Sequence, residues 1–412
     1  MHTCTRALLP SFLAAVPLQV WRCCLPASRA RMSAEPLSAT AARTACARRR
    51  CGRGACSQAT PHASQRSAAA ARQRPHAGQH FQLSIGRGPR AWRQHAASSP
   101  TETQPGAETR RFPAFLPPEV SEITEPAAID VAHRCVRLPV RLAGGAVIET
   151  ACVVPATRGR GLPLVLLHGF DSSLFEFRRF LPLVEDSGVE TWAVDLYGCG
   201  HTAYTGGGSC TPADRLAHLH GFLQQHVGTD RACVVLGASL GAATAIDLAT
   251  THPALVAGLV IVDGQVFERA PALQGPLAWL GVSVLRSVWL RNIANQVAYA
   301  DKARYATQDA MRVGRLHTHL PHWAEASVAF MASGGYNVAE RVASITQRTL
   351  VVWGADDEIV PPDTAERLRA RLRNCAGVAM VPACGHVAHL EQPEALRDLL
   401  LPFLAELGGS VA

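Results

Sequence analysis

Lysine is almost absent from this 412-residue chain, since Lys302 is the only one. No glycine-rich loop precedes it, which excludes the phosphate-binding loop of nucleotide-hydrolysing enzymes. The same scarcity argues against catalysis through a lysine Schiff base. The chemistry of this chain must come from other side chains.

Acidic residues are nearly missing from the first quarter of the chain. Residues 1–110 contain 16 Arg, 3 Glu and neither Asp nor Lys, a net charge of +13. The whole chain carries +8, which leaves −5 for residues 111–412, so the body has no basic excess to favour nucleic acid. A leader rich in Ala, Arg and Ser is typical of an organelle transit peptide. We predict a leader that directs the protein to the chloroplast stroma, with the mitochondrion or a retained disordered tail as alternatives.

Long apolar runs and paired cysteine motifs are also missing. The run over residues 7–21 contains two prolines and is too short to cross a bilayer, so no stable membrane span is predicted. The seven cysteines after the leader are scattered, which excludes a zinc framework and favours free thiols. His317, His319 and His322 are spaced like metal ligands but lack a nearby carboxylate or cysteine, and we predict no metal and no organic cofactor.

Strand and helix patterns alternate after residue 130. Residues 111–129 are predicted as a linker, and alternation over 131–142 and 147–154 predicts an antiparallel hairpin that opens a domain over residues 130–412. Six apolar runs separated by helical patterns then predict an α/β domain with a mostly parallel sheet and helices on both faces. The runs are residues 162–167, 191–196, 234–237, 259–262, 349–353 and 378–382.

The alternation of strand and helix patterns stops over residues 265–346, where helical apolar spacing continues without a strand. In mostly parallel sheets the chemistry gathers at the carboxyl ends of the strands. We therefore predict a helical lid over that edge. The apolar side chains of this segment fit either an acyl pocket or the core of the lid, and include Trp279, Trp289, Trp323, Phe330 and Met331.

Ser239 stands in Gly237-Ala238-Ser239-Leu240-Gly241, between an apolar run and a pattern of small residues with helical spacing. Gly-x-Ser-x-Gly between a strand and a helix is the sequence form of a nucleophile elbow. Glycines two positions either side of the serine remove collisions across the sharp turn. The pentapeptide alone also fits an ordinary glycine-rich connection, so the residues that follow must decide.

A serine hydroxyl needs a base that accepts its proton and an acid that orients the base. After a serine elbow, the expected chain order is acid and then histidine. His386 follows a predicted strand end and is preferred to His389, which lies farther from it. Three acids crowd the loop after the preceding strand, and Asp357 is the predicted acid. Asp263, at the end of an earlier strand, is the alternative.

The negative charge that develops during attack on a carbonyl needs two donors aimed at it. The backbone N–H groups of Leu240, directly after the serine, and of Phe170 are the predicted oxyanion hole. Gly169 lets the backbone come close at this point. His168 is interpreted as an orienting residue of the loop and not as a second base.

Four motifs in this order resemble the α/β-hydrolase fold superfamily, of the AB hydrolase-1 type, over about residues 130–408. They are residues 166–170, 237–241, 353–357 and 385–393. Residues 166–173, 190–195 and 333–338 further resemble a group of plastid-directed plant and algal hydrolases. The resemblance implies Ser239 as nucleophile, Asp357 as acid and His386 as base. Dehalogenases and epoxide hydrolases of this fold use an aspartate at the elbow, so serine at 239 argues against both.

These observations predict a serine hydrolase that cleaves an ester or thioester with an apolar acyl part through an acyl-enzyme. The alternatives on the same fold are a C–C bond hydrolase, an acyltransferase and a non-catalytic ligand-sensing protein. The predicted partner is a small apolar ester-type substrate. The sequence leaves the oligomeric state open.

Overall fold

The computed structural model describes residues 111–159, 161–229, 231–268 and 271–408. The leader predicted for residues 1–110 lies outside the described residues. The described part of the chain contains one eight-stranded sheet. Its strands are β1 (Cys135–Arg141), β2 (Val147–Val153), β3 (Leu164–Leu167), β4 (Thr191–Val194), β5 (Cys233–Ala238), β6 (Val256–Val262), β7 (Arg348–Gly354) and β8 (Cys375–Val381).

The strands lie side by side in the order β1-β2-β4-β3-β5-β6-β7-β8. β1 pairs antiparallel with β2, β2 pairs antiparallel with β4, and every later pairing is parallel. All residues of β3, β4 and β5 are buried, as expected for central strands covered on both faces. The predicted mostly parallel sheet with helices on both faces is confirmed.

Helices connect the parallel strands and cover two separate apolar cores. The α-helices are α1 (Pro126–Arg134), α2 (Leu181–Glu185), α3 (Pro212–Phe222), α4 (Leu240–Thr251), α5 (Pro276–Arg286), α6 (Val288–Val297), α7 (Lys302–Tyr305), α8 (Gln308–Arg315), α9 (Trp323–Ala332), α10 (Asp363–Arg371), α11 (Ala388–Glu391) and α12 (Pro393–Glu406). Short 3-10 segments span Pro118–Glu122, Leu174–Phe177, Pro253–Leu255, Leu316–His319 and Ala339–Ser344, and a π-helical segment spans Leu223–Val227. No helix of the described residues is both long and apolar enough to cross a membrane.

The start of the domain differs from the sequence-based expectation. Residues 111–129 are not a linker, because Leu116 and Val120 are buried in one of the cores and α1 begins at Pro126. The strand predicted over 131–142 begins only at Cys135. Proline at the first helical position presets the backbone for a helix, and that signal outweighs the short alternation that follows.

The helix predicted over residues 175–184 is interrupted. A 3-10 segment covers Leu174–Phe177, and α2 begins only at Leu181. Pro182 has no N–H to bond to an earlier turn, and its ring collides with the carbonyl four residues before it, so a continuous helix cannot form here.

Between β6 and β7 the described residues form helices and no strand. We call this segment, residues 276–344, the cap. Within it α5 packs on α9, and α6 packs on α8. Leu285 and Leu290 of the cap line the same cavity as Ser239, which places these two side chains at the carboxyl edge of the sheet.

Gly241 allows α4 to pass directly against β3, because a Cβ at this position would collide with the carbonyl oxygen of Leu167. We expect Gly241→Ala to lower the free energy of unfolding by about 3 kcal/mol, since backbone must move to make room. Gly314→Ala is the matched control. It lies on α8 with open space around its Cβ position, and it should stabilise by about 0.5–1 kcal/mol. Urea unfolding measures both, and equal stability of Gly241→Ala and wild type would contradict the packing described here.

Candidate active site

Ser239 occupies the sharp turn between β5 and α4. Its φ of 51° and ψ of −115° place it in a region that non-glycine residues rarely adopt. The neighbouring strand holds the turn, since the Ser239 N–H donates to the Val262 carbonyl at 2.9 Å and the Gln265 N–H donates to the Ser239 carbonyl at 3.0 Å. Gly237 and Gly241 approach so closely that a Cβ on Gly237 would overlap the Gly241 backbone. The local geometry is that of the predicted elbow.

His386 follows β8 and hydrogen-bonds to Asp357, which follows β7. Nδ1 of His386 lies 2.8 Å from Oδ2 of Asp357. The other carboxylate oxygen accepts the N–H groups of Ile359 at 2.7 Å and Val360 at 2.9 Å. With the carboxylate as acceptor, Nδ1 carries the proton and Nε2 is left to accept one. His386 and Ser239 line one cavity.

Burial lowers the pKa of His386, but the charge of Asp357 and its hydrogen bond outweigh burial and raise that pKa to about 9. Asp263 and Glu176 add to the rise. An imidazole among carboxylates stabilises the proton it accepts, which is what a base next to a serine must do.

Asp263, the alternative acid, faces a different partner. Its Oδ1 accepts the Gly354 N–H at 2.7 Å, and its Oδ2 has no hydrogen-bond partner among the described residues. Burial and the charge of Asp357 raise the pKa of Asp263 well above its usual range. The hydrogen bond to the imidazole of His386 therefore comes from Asp357 and not from Asp263, although both carboxyls lie near it.

The loop after β3 runs against the serine. A Cβ on Gly169 would lie 3.3 Å from Ser239 Cβ. The N–H groups of Phe170 and Leu240 donate to no protein acceptor in the described part of the chain, and Phe170 lines the same cavity as Ser239. These are the two amides predicted from the sequence.

His168 orients this loop. Its Nε2 accepts the Leu196 N–H at 3.1 Å, which leaves Nδ1 to donate to the Gly169 carbonyl at 2.8 Å. Burial lowers the pKa of His168 to about 4, so it is neutral near pH 7. It has the role of a fixed hydrogen-bonding group.

The cavity above Ser239 has a volume of about 270 Å³ and is lined mainly by apolar atoms. Trp279 and Trp289 do not line it, because they are 48% and 60% exposed on the cap surface. Phe330 and Met331 line a second, smaller cavity next to Phe170. The apolar lining of the Ser239 cavity comes instead from other side chains, which include Leu285, Leu290, Met311, Val313 and Ile359.

Asp171 connects the loop after β3 to the cap. Its carboxylate pairs with Arg291 of α6 and accepts hydrogen bonds from His317 Nε2 and Trp323 Nε1, both at 3.0 Å. The backbone φ of Asp171 is +49°, and the residue directly follows Phe170. Three parts of the cap therefore meet one carboxylate beside the predicted oxyanion hole.

We expect Asp171→Ala to lower the free energy of unfolding by about 3 kcal/mol, because it leaves the largely buried Arg291 without its counter-charge. The KM for a substrate of this cavity should rise more than kcat falls, since the cap loses its attachment to the loop. Asp130→Ala, which removes an exposed ion pair with Arg134, should cost less than about 1 kcal/mol. Urea unfolding and steady-state kinetics measure these effects, and equal destabilisation by the two variants would contradict this role of Asp171.

Glu391 holds the His386 loop and was not singled out from the sequence. Its carboxylate accepts the N–H groups of Gly385 at 2.7 Å, Ala300 at 3.0 Å and Asp301 at 2.7 Å. The N–H of His386 itself donates to the carbonyl of Ala298, at 2.8 Å. The end of α6 is thereby joined to the loop of the base. Glu391 lies within the motif of residues 385–393, which was the available signal.

The three closely spaced histidines face three different carboxylates. His317 contacts Asp171, His319 Nδ1 lies 2.9 Å from Glu119, and His322 Nδ1 lies 3.1 Å from Glu325. No group of three or more His, Cys, Asp and Glu side chains is arranged to hold a metal in the described ranges.

A mostly parallel eight-stranded sheet, a serine at a strand-to-helix elbow and a cap between two strands define an α/β hydrolase. The chain belongs to the alpha/beta hydrolase family, whose model matches residues 164–399. The predicted superfamily is therefore confirmed.

Two curated relatives illustrate the range of the family. The chain is 36% identical over 300 residues to the alpha/beta hydrolase domain-containing protein VTE7 of Arabidopsis thaliana, an alignment that covers 71% of this chain and 90% of the relative. It is 28% identical to the 2-hydroxy-6-oxo-6-(2'-aminophenyl)hexa-2,4-dienoic acid hydrolase of Metapseudomonas resinovorans, over 60% of this chain and 85% of that one.

Solved structures share the fold at low sequence identity. A thermophilic esterase from Thermogutta terrifontis matches with a TM-score of 0.55 and 21% identity, over 66% of this chain and 98% of its own. A meta-cleavage product hydrolase from Pseudomonas fluorescens matches with a TM-score of 0.54 and 18% identity, over the same shares of both chains.

Proposed function

We propose that this protein is a serine hydrolase that cleaves an ester or thioester with an apolar acyl part through an acyl-enzyme. The observation that carries the proposal is the 2.8 Å hydrogen bond between His386 and Asp357, on a histidine that shares a cavity with Ser239. The other histidine that lines this cavity is His389, and burial lowers its pKa to about 3, which leaves His386 as the base.

In the proposed reaction, Ser239 Oγ attacks the carbonyl carbon while Nε2 of His386 takes the hydroxyl proton. Asp357 stabilises the imidazolium that forms. The N–H groups of Phe170 and Leu240 receive the charge on the carbonyl oxygen. His386 then gives its proton to the departing alcohol or thiol, and a water activated by the same histidine hydrolyses the acyl-enzyme.

The proposed substrate class follows from the lining of the cavity. Apolar atoms supply most of its wall, and burial of apolar surface is worth about 25 cal/mol per Å². An apolar acyl chain would gain binding free energy from this wall.

A C–C bond hydrolase is the second candidate. It is favoured by the bacterial relatives that are hydrolases of 2-hydroxy-6-oxo-dienoic acids, at 28–30% identity. Acyl transfer and ligand sensing on the same site remain outcomes of the test.

The test is a panel of substrates offered to the purified chain: aliphatic esters and thioesters of increasing acyl length, and a 2-hydroxy-6-oxo-dienoic acid. Hydrolysis of esters with rates that grow with acyl length is expected. Cleavage of the dienoic acid alone would favour the second candidate. Product that increases with an added alcohol or thiol acceptor would indicate acyl transfer, and a single turnover without cycling would indicate sensing.

We further propose that the protein is imported into the plastid. The support is the arginine-rich, acid-poor composition of residues 1–110 together with the similarity to a plant protein. Fusing residues 1–110 to a fluorescent protein tests this, and mitochondrial fluorescence would favour the alternative.

A further inference from the structure

Glu176 is an acid of the cavity that the reaction above does not use. It lies on the 3-10 segment Leu174–Phe177 and lines the same cavity as Ser239 and His386. Its side chain is 11% exposed. Asp171, the other lining acid, is occupied by Arg291, whereas Glu176 has no arginine within ion-pair distance among the described residues.

The position of Glu176 is fixed by the loop that carries the predicted oxyanion hole. Oε1 accepts the Gly169 N–H at 3.0 Å. Ser239 Cβ lies 3.3 Å, and Glu176 Oε2 lies 3.7 Å, from the point that a Cβ on Gly169 would occupy, which limits the separation of these two atoms to about 7 Å. A charge on Glu176 therefore acts on the reacting groups at short range.

His386 and Glu176 each face other titratable side chains. His386 faces Asp357 from the loop after β7, Asp263 from the loop after β6, and Glu176. Glu176 faces His386, the charge of Asp195 after β4, and Nε2 of His389 at 3.6 Å from its Oε1. Burial lowers the pKa of His389 to about 3, so its ring brings no positive charge near pH 7.

The acids around His386 differ in their pKa values. Burial and the charge of Asp357 raise the pKa of Asp263 well above its usual range. Burial raises the pKa of Glu176 to about 7, against the opposing effects of Ser172, the Gly169 N–H and His386. Among the three acids that face His386, Glu176 is the one that lines the Ser239 cavity, and its charge changes near neutral pH.

We propose that Glu176 is a positioning residue of this site, whose charge sets how readily His386 gives up and accepts a proton. The inference rests on the proposed function, because it acts through the base of the same reaction. An ionised Glu176 stabilises the imidazolium, so a smaller fraction of His386 is unprotonated and able to act as a base. A neutral Glu176 leaves the imidazole free to accept the serine proton.

The experiment compares the full chain with two glutamate variants. The rate at which a fluorophosphonate labels Ser239 is measured from about pH 6 to 10 for wild type, Glu176→Gln and Glu340→Gln. Glutamine keeps an acceptor for the Gly169 N–H but carries no charge. Glu340 is an exposed acid on the 3-10 segment Ala339–Ser344, so Glu340→Gln removes the same charge at a distance.

The three profiles should coincide at the acid end, where Glu176 is neutral in wild type as well. Above about pH 7, Glu176→Gln should label faster, by about threefold near pH 8, and the midpoint of its rise should lie about one pH unit lower. Glu340→Gln should follow wild type throughout. A mere loss of structure would slow labelling, and cannot produce this gain.

Superimposed profiles of wild type and Glu176→Gln would overturn the proposal. A wild-type chain that is not labelled at any pH would contradict the proposed function instead. NMR of the wild-type chain with ¹³C-labelled glutamate carboxyls needs no variant: one carboxyl should titrate near pH 7, and titration of every glutamate below about pH 5.5 would also overturn the role of Glu176.

Discussion

Ser239→Ala should lower kcat for ester hydrolysis by about 10⁵- to 10⁶-fold, the loss found when a serine hydrolase is deprived of its nucleophile. Without the hydroxyl no acyl-enzyme forms, and what remains is the contribution of the oxyanion donors and of binding. Substrate affinity should persist, because the cavity wall is unchanged.

Ser283→Ala is the matched control for this variant. Its hydroxyl is exposed on α5 of the cap and donates to the Trp279 carbonyl, at 2.9 Å. The Ser283→Ala variant should hydrolyse the ester at the wild-type rate. Steady-state kinetics with an ester found in the substrate panel give the comparison, and an activity of Ser239→Ala within tenfold of wild type would refute the serine mechanism.

Asp357→Asn should lower kcat by about 10⁴-fold, because the amide no longer holds the imidazole in the tautomer that leaves Nε2 free to accept. The pKa of His386 should fall as well, since the carboxylate outweighs burial in setting it. A histidine with a lowered pKa loses its proton at lower pH, so the acid side of the pH–rate profile should move to lower pH.

Asp263→Asn provides the comparison with the other candidate acid. Asp263 accepts the Gly354 N–H through one oxygen and makes no hydrogen bond to His386 among the described residues, and asparagine keeps that acceptor. Its kcat should therefore stay within about tenfold of wild type. If Asp263→Asn were the more damaging of the two, the assignment of the acid would have to be exchanged.

The sheet could be predicted from the sequence, and so could the chain order of the residues at the ends of its strands. Central parallel strands are continuous apolar runs that end in glycine or polar residues. β3, β5 and β7 follow this pattern, and their ends carry Gly169, Ser239 and Asp357 in the predicted chain order. Strands buried on both faces leave few alternative assignments.

The start of the domain and the wall of the cavity were less accessible to sequence reasoning. Leu116 is buried in a core that also contains residues from distant strands and helices, and no local pattern contains that information. Trp279 and Trp289 have the helical spacing of core residues, yet α5 and α6 turn them outward. Which face of a cap helix meets the cavity depends on packing between elements that are far apart in the chain.

The bond from His386 N–H to the Ala298 carbonyl means that the end of α6 is also part of the frame that holds the base. Glu391 strengthens the same joint from the other side, through Ala300 and Asp301. A cap transplanted from a relative would thus have to reproduce these backbone contacts as well as the shape of the pocket. Exchanging parts of the cap to change selectivity is therefore expected to succeed only when residues 298–301 stay native.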